Sequence, residues 1–558
     1  MSSRSAPFNL GQALDEALAL QRAGRLREAE KICSRLLKAA PQNFDALHLL
    51  GALKLQQDRI GEAYRLLRAA VTVNPRAAGA WSNLGQALHA LKRAPEALEC
   101  LDRARALAPD DAGILNQHAN VLVTLGRAQD ALAELQQVLA RAPNHAEARL
   151  SSGVAHAMLG RPGEALADFD AVLRLAPGHP GVHYNRGVAL MTLGRYAEAV
   201  EANDRAVALA PQHAAAWLNR GKAQMQLDRC DDAIASYAKA LALRKDYADA
   251  HFNMALALLT RGDYRRGFEN YEWRWRRTGM PPQQSRGKPL WLGEYPIARK
   301  TALLHAEQGL GDTIQFVRYV PLIAAMGAKV IVEVPADLKP LMRRLDGAAA
   351  VVARGEPPPP FDLHCPLGSL PLALHTDVAT VPAQIPYLAA DQAKLAQWSA
   401  RLAALPRPRV ALSWSGNPSH DNDRNRSIAL ARLLPLVAGP ASFVAVQRDV
   451  RAEDAAPLSR AQRIVPLGGE LADFDDTAAV LALCDLVIAV DSAPAHLAGA
   501  MGRPLCVLLP FAPDWRWTRQ GTTTPWYPTA RLFRQTAPGD WDGVIARAAA
   551  ELANLRPG

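Results

Sequence analysis

Three segments of the sequence place polar residues directly after apolar runs, where they can act on an anionic substrate. The first is 305–316, in which Gly309 and Gly311 allow a tight turn and Asp312 follows them. A carboxylate at the edge of a crevice can accept a proton from a hydroxyl nucleophile. An aspartate at such a place is also a common cap of a helix N-terminus, and both interpretations stand at this point.

The second segment is 410–426, where an apolar run leads into small and polar residues. The amides and hydroxyls of such residues suit phosphate oxygens, and this predicts donor-binding roles for Ser415, Gly416 and Asn417. Arg424 and Arg426 follow in the same loop. Either guanidinium can neutralise a diphosphate because its planar fork makes paired contacts with oxygens.

The spacing of Asp421 and Asp423 in this loop is that of the Asp-x-Asp metal motif of some sugar-nucleotide enzymes. A chance match in a polar loop is the preferred interpretation. We therefore predict no bound metal and no cofactor.

The third segment is 484–504, in which a fully apolar run ends at Asp491 and Ser492. Small residues, Ala493 among them, follow and predict a helix that begins at once. A helix N-terminus offers unbonded N–H groups and the positive end of its dipole to an anion. His496 lies one turn into this helix and is expected to face the same point.

Short apolar runs alternate with helical patterns from about residue 299 onward, and this alternation predicts parallel sheets with helices on both faces. Ligands of such sheets bind at the carboxyl ends of the strands, where the three segments lie. The predicted helices include 313–326 and 476–483. The predicted strands are Ala302–Ala306, Val330–Val334, Val410–Trp414, Ser442–Val446, Leu486–Val490 and Leu505–Leu509.

The first half of the chain is an internal repeat with a period of 34 residues. A proline recurs at that interval and stops the second helix of each unit. A column of small residues and a column of alanines recur in phase, which lets two antiparallel helices approach closely. The prolines are Pro41, Pro75, Pro109, Pro143, Pro177 and Pro211; the small column is Gly51, Gly85, Ala119, Gly153, Gly187, Gly221 and Ala255; the alanines are Ala29, Ala63, Ala97, Ala131, Ala165, Ala199 and Ala233.

These columns resemble a tetratricopeptide (TPR) array, most clearly at 81–85 and 217–221. Repeats are predicted to begin near 10, 44, 78, 112, 146, 180, 214 and 248, and the eighth is degenerate, with Lys245 in place of proline and Gly267 in place of alanine. The predicted domains are an all-α TPR superhelix over 10–278, a linker over 279–298 and two doubly wound Rossmann-like halves. The halves span 299–405, on the acceptor side, and 406–558, on the donor side.

Residues 299–558 resemble GT-B glycosyltransferases, most closely the heptosyltransferase-like family 9. The family's Gly-Asp element matches Gly311 and Asp312, and the resemblance implies that this aspartate is the general base. Its Asp-(Ser/Thr)-x-x-x-His element, which holds the donor diphosphate, matches Asp491, Ser492 and His496. A basic residue of the family is matched by Arg426 or by its neighbour Arg424.

The whole layout is similar to O-GlcNAc transferase and to bacterial flagellin or adhesin glycosyltransferases. The resemblance implies an inverting, metal-independent transfer of a sugar from a nucleotide-diphosphate donor to a protein hydroxyl held by the TPR groove. One helix column is expected to hold the acceptor peptide through side-chain amides, which can pair with a peptide's N–H and C=O. A solvated polar face is the alternative. The column's asparagines are Asn83, Asn185, Asn219 and Asn253.

Two other functions fit the same sequence. The chain can be a peptide-binding scaffold with an inactive transferase half, or a transferase that acts on lipopolysaccharide or another glycan. The resemblance also leaves a homodimer open. The sugar, the nucleotide base and the acceptor are not fixed by the sequence.

Composition restricts the class of protein. The chain has 558 residues, with 49% hydrophobic and 21% charged residues, as in multidomain globular proteins. The net charge of +10 permits anionic partners, but the arginines are dispersed, so no nucleic-acid partner is predicted. No signal core or membrane span is evident, and six scattered cysteines without metal-ligand spacing favour a cytoplasmic location.

Overall fold

The computed structural model describes residues 10–279, 286–439 and 441–554. The first part is an all-helical TPR array whose first helix of each pair begins where the repeat period predicts. In the described residues the array contains α1 (Leu10–Arg22), α2 (Leu26–Ala39), α3 (Phe44–Gln56), α4 (Ile60–Val73), α5 (Ala78–Ala90), α6 (Ala94–Leu107), α7 (Ala112–Thr124), α8 (Ala128–Arg141), α9 (Ala146–Met158), α10 (Pro162–Leu175), α11 (Pro180–Leu193), α12 (Tyr196–Leu209), α13 (Ala214–Gln226), α14 (Cys230–Leu243), α15 (Ala248–Arg261) and α16 (Tyr264–Tyr271).

The periodic small residues are structural. The column alanines are buried without exposed area, and a Cβ atom added to Gly153 would lie 2.5 Å from the ring of Phe169 in the partner helix. At Gly221 the added Cβ would lie 2.4 Å from the Tyr237 ring. Glycine therefore lets the two helices of a repeat approach closely. Each recurring proline follows the end of a second helix by two residues, as predicted.

The Gly153→Ala variant is expected to lose about 1–3 kcal/mol of unfolding free energy because the new methyl group overlaps Phe169. Gly163→Ala in the same repeat is the matched control, since nothing lies within 4 Å of its added Cβ. The control is expected to be neutral or stabilising by up to about 1 kcal/mol. Urea unfolding followed by far-UV circular dichroism measures both. Equal stability of the two variants would contradict the packing role of this column.

The second part contains two parallel sheets. The first has four strands in the described residues, β1 (Thr301–His305), β2 (Lys329–Val334), β3 (Ala348–Ala353) and β4 (Leu363–Pro366), in the order β3-β2-β1-β4. The second has six in the described residues, β5 (Arg409–Ser413), β6 (Ser442–Ala445), β7 (Ile464–Pro466), β8 (Leu486–Val490), β9 (Leu505–Leu509) and β10 (Ala530–Arg534), in the order β10-β9-β8-β5-β6-β7. The all-α and α/β parts of the predicted fold are confirmed.

Helices connect these parallel strands. In the described residues they are α17 (Leu310–Phe316), α18 (Val320–Ala325), α19 (Lys339–Met342), α20 (Leu370–Ala373), α21 (Gln392–Leu402), α22 (Asp423–Arg426), α23 (Leu430–Leu433), α24 (Ala452–Arg460), α25 (Phe474–Ala482), α26 (Ala493–Ala500) and α27 (Trp541–Ala553). The predicted helix over 313–326 is divided into α17, a 3-10 turn and α18. The predicted helix over 476–483 corresponds to α25.

The strand order of the six-stranded sheet reverses between β5 and β8, which are adjacent but not consecutive in the chain. Successive residues of β8 alternate between two apolar cores, one containing α25 and α26 and the other containing α27. Crevices for ligands open at such a reversal, at the carboxyl ends of the strands. In the four-stranded sheet the corresponding reversal lies between β1 and β4.

The chain divides into two compact units, residues 1–211 and 212–558. The last two helix pairs, α13 to α16, therefore group with the α/β region rather than with the preceding repeats. Part of the predicted linker is also ordered against the first sheet: Leu290 bridges to His364 of β4, and the buried Trp291 donates its backbone N–H to the His364 carbonyl at 2.9 Å. Residues 280–285 of that linker lie outside the described residues.

Candidate functional site

The loop after β5 forms a closed turn. The backbone N–H groups of Trp414 and Ser415 both donate to the Gln447 side-chain oxygen, at 3.2 and 3.1 Å, and Gly416 N–H donates to Ser427 Oγ at 3.0 Å. The amides of Ser415 and Gly416 are therefore satisfied within the protein, whereas the sequence predicts that they bind phosphate. Gln447 follows β6, and nothing in its local sequence indicates this role.

Asn417 and Arg424 are exposed, at the rim of the same loop. Asn417 Oδ1 accepts from the backbone N–H and the hydroxyl of Ser419, both at 2.9 Å, which is a local turn interaction. Asp423 is buried and accepts from Arg451 and, at 2.7 Å, from Ser427 Oγ. The Asp423 carboxylate thus has a structural role within the loop.

Arg426, rather than Arg424, extends to the neighbouring strand. Its Nη1 donates to the Asp491 carbonyl oxygen at 3.1 Å, and its side chain is 12% exposed. Gly416 makes room for it, because an added Cβ there would lie 2.6 Å from Arg426 Nη2. The Arg426 guanidinium therefore lies between the carboxyl ends of β5 and β8. It places a positive charge where the strand order reverses.

The helix predicted after β8 is present as α26, which begins at Ala493. Ser492 occupies its N-cap position, but the Ser492 hydroxyl donates to the Val490 carbonyl at 3.1 Å and does not cap the helix. No described residue accepts a hydrogen bond from the Ala493 amide. His496 is 5% exposed, and its Nε2 lies 3.7 Å from Asp491 Oδ1. Burial disfavours the charged form of Asp491, but hydrogen bonding with the His496 imidazole and the charge of the Arg426 guanidinium outweigh this effect and lower its pKa.

Asp312 lies in the first turn of α17, where it makes the predicted helix-cap interaction, while its role as general base stays a prediction. Its Oδ2 accepts from the Gly309 N–H at 3.1 Å, as a helix cap does, while its Oδ1 accepts from Arg516 Nη2 at 2.6 Å. The side chain remains 28% exposed. Helix α17 packs against α26, and a Cβ added to Gly311 would lie 2.7 Å from the His496 ring.

Arg516 is not among the predicted site residues. It is buried and also pairs with Asp514 at 2.9 Å and with Gln315. Contacts with the two carboxylates raise its pKa against the effect of burial, which keeps it charged. A basic residue between two tryptophans, at 515–517, is the sequence signal that marks it.

A second carboxylate lies in the loop between β1 and α17. Glu307 accepts from the Gly368 N–H at 3.2 Å and pairs with the buried Arg274 at 3.1 Å. Burial raises the pKa of Glu307, and the Arg274 charge opposes this effect. This residue is also absent from the predicted set.

The tail tryptophans form part of the core. Trp515, Trp517 and Trp526 are at most 2% exposed. Trp515 meets the rings of Tyr264 and Phe268 edge to face, with centroids 5.9 and 5.7 Å apart. This burial favours core packing over stacking on a ligand.

The helix column predicted to hold peptide is half-buried at all four asparagines. Asn83 Nδ2 lies 3.0 Å from His48 Nε2, and Asn253 Nδ2 donates to the Asp249 carbonyl at 2.7 Å. Asn185 and Asn219 occupy the same place in their repeats. Two of the four amides thus have partners within the array.

Models of known families match segments in both parts of the chain. Tetratricopeptide repeat models match residues 116–180, 160–214, 184–246 and 218–268, with a further one over 76–144, and a model described as anaphase-promoting complex, cyclosome, subunit 3 matches 22–104. A model of glycosyltransferase family 9 (heptosyltransferase) matches 442–539. The chain carries TPR repeats followed by a family 9 glycosyltransferase segment.

Among individual proteins, the chain is similar to protein FlbA of Caulobacter vibrioides, with 30% identity over 332 residues. The match covers 54% of this chain and 55% of FlbA, so it spans about half the length of that curated relative. A TPR protein from Parabacteroides merdae is 17% identical over 45% of this chain and 98% of its own, with a TM-score of 0.36. A TPR protein from Thermus thermophilus is 27% identical over 33% of this chain and 100% of its own, with a TM-score of 0.29.

Two further expectations concern the whole chain. All six cysteines are buried and free of disulfide bonds, as small core residues are. Within 10–279, 286–439 and 441–554, no helix combines the length and apolar character needed to cross a membrane.

Proposed function

We propose that the chain is a glycosyltransferase that moves a sugar from a nucleotide-diphosphate donor to a protein hydroxyl. The observation that carries this proposal is the convergence of Arg426, the amide-bearing start of α26 and His496 at the strand-order reversal of the six-stranded sheet. Helix α17, which carries Asp312 in its first turn, packs against α26. The family 9 match over 442–539 supports the same class of reaction.

In this proposal the donor diphosphate lies where β8 meets α26. The Ala493 amide and the helix dipole favour the negative charge that develops on the leaving group. Arg426 adds a charged, directional donor from the neighbouring loop. Because these groups already lie at one point, charge stabilisation here requires no bound metal.

Asp312 takes the proton of the acceptor hydroxyl as that oxygen attacks the anomeric carbon. The nucleoside diphosphate leaves in the same displacement, so the anomeric configuration inverts. The pairing with Arg516 holds the carboxylate in one position, and its 28% exposure leaves it accessible to an acceptor. The two sheets would form the two halves of a GT-B transferase.

The TPR array would hold the acceptor polypeptide. Asn83, Asn185, Asn219 and Asn253 are the proposed contacts, since a side-chain amide both donates to and accepts from peptide groups. In the case of Asn83 and Asn253, the peptide would replace a bond that the amide makes within the array. The acceptor is to be identified by the experiment described below.

A panel of ADP-, UDP-, GDP- and CMP-sugars tests the donor class by thermal shift. A ligand that binds only the folded chain at about 100 times its dissociation constant stabilises it by about 2.7 kcal/mol. At least one nucleotide-diphosphate sugar is expected to raise the melting temperature and to be hydrolysed slowly. If none binds and none is hydrolysed, the chain is a TPR scaffold. Intact-mass analysis of co-expressed acceptor proteins, flagellin first, against glycan profiling then separates protein from glycan acceptors.

A further inference from the structure

His496 lies in a buried pocket that leaves each ring nitrogen one neighbour. Its Nδ1 lies 2.9 Å from the Tyr527 hydroxyl, and its Nε2 faces Asp491 Oδ1 at 3.7 Å. The Trp517 ring covers one side, with ring centroids 5.2 Å apart. Whether Nδ1 or Nε2 carries the proton therefore depends on whether the Tyr527 hydroxyl donates to Nδ1 or accepts from it.

The surroundings of Tyr527 favour its hydroxyl as the donor. Tyr527 is fully buried, and burial raises its pKa, so the phenol keeps its proton. The neighbouring Tyr387 donates its own proton to the Ile314 carbonyl at 3.1 Å and accepts from Arg318 Nη2 at 3.1 Å. Two neighbours of the Tyr527 hydroxyl can accept its proton, the Tyr387 hydroxyl and His496 Nδ1 at 2.9 Å, and an imidazole nitrogen is the stronger acceptor of the two.

A buried cation strengthens this preference. Arg318 is 3% exposed, and its Nε and Nη1 have no hydrogen-bond partner in the described residues. Its guanidinium lies 4.9 Å from the centroid of the Tyr527 ring. Positive charge beside the phenol makes its O–H a better donor.

Two glycines make this arrangement possible. A Cβ added to Gly499, one turn after His496 in α26, would lie 2.4 Å from Tyr527 Cδ1. An added Cβ at Gly311 of α17 would meet the His496 ring. Both rings are thus confined, and the imidazole has little freedom to turn over.

From this geometry we infer that Tyr527 is a positioning residue that fixes His496 as the Nε2–H tautomer, with that N–H facing Asp491 at the site proposed for the donor diphosphate. The inference rests on the proposed function for the identity of the anion. The tautomer itself can be measured without any ligand. Tyr527 does not touch the reacting atoms and acts through the imidazole.

Nitrogen-15 spectra of the full chain labelled in its histidine rings test the tautomer. The His496 signals are assigned by their loss in His496→Gln, and at neutral pH they are expected to show unprotonated Nδ1 and protonated Nε2. In Tyr527→Phe both signals should move toward a mixture of tautomers. Tyr319→Phe is the matched control, since it removes a buried hydroxyl bonded to Thr376 and leaves the His496 signals unchanged.

Calorimetric titration with ADP, UDP and GDP completes the experiment. Tyr527→Phe is expected to weaken the tightest of these about tenfold, while Tyr319→Phe keeps the wild-type affinity. A wild-type His496 protonated at Nδ1, or unchanged signals in Tyr527→Phe, overturns the inference; if Tyr527→Phe does not fold, the wild-type spectrum alone decides. If the tautomer is as expected but no nucleoside diphosphate binds, the proposed function fails and the tautomer assignment stands.

Discussion

Asp312→Asn is expected to lower the transfer rate by about 10²–10⁴-fold while donor affinity stays within a factor of about two. Asparagine preserves the size of the side chain and can still accept from the Gly309 N–H. It cannot take the proton from an acceptor hydroxyl. Transfer to a co-purified acceptor, measured by intact mass, gives the rate, and calorimetry gives the donor affinity.

Asp514→Asn is the matched control for this variant. Asp514 pairs with the same guanidinium at 2.9 Å, so both variants remove one carboxylate from Arg516. Only the loss of Asp312 should abolish transfer. Retained turnover with lost donor affinity in Asp312→Asn would show that this residue is not the base. Glu307→Gln is then the next variant, because Glu307 is the other carboxylate of the same loop.

The second large effect is expected at Arg426. Arg426→Gln should weaken nucleoside diphosphate binding by about 10–100-fold, since a hydrogen bond to a charged group contributes about 1.5–3 kcal/mol. Its loss also removes the charge that favours the Asp491 carboxylate. Isothermal titration with the nucleotide identified by the donor panel measures the effect.

Arg424→Gln provides the comparison. Arg424 lies on the same short helix, α22, and is exposed, whereas Arg426 reaches the Asp491 carbonyl. The Arg424 variant is expected to bind nucleotide within a factor of about two of the wild type. If Arg424→Gln weakens nucleotide binding and Arg426→Gln does not, the diphosphate lies at the rim of the loop and not at the strand-order reversal.

The repeat boundaries and the strand ends could be predicted because both follow from local pattern. A proline every 34 residues marks the helix ends. The recurring glycines mark the positions where a helix packs closely against a large side chain. The strands β3, β4, β7 and β10 are absent from the prediction. β3 is rich in alanine, which favours helices, and β4 and β7 are too short for a clear alternation of apolar and polar residues.

The partners of the site residues could not be predicted, because they are distant in sequence. Arg516 donates to Asp312, which lies 204 positions earlier in the sequence. The Gln447 side chain accepts from backbone amides of a loop more than thirty residues before it. Spacing in the sequence identifies residues that can do chemistry. It does not show whether the protein already satisfies them, as it does for the amides of Ser415 and Gly416.

The contact of Arg516 with Asp312 has a consequence for how a large substrate enters. The guanidinium belongs to the chain segment after β9 and the carboxylate to the helix after β1, so the pair links the two sheets. Wide separation of the sheets would break this partly buried ion pair, which is costly. Motions that admit and release substrates are therefore expected to keep this contact intact.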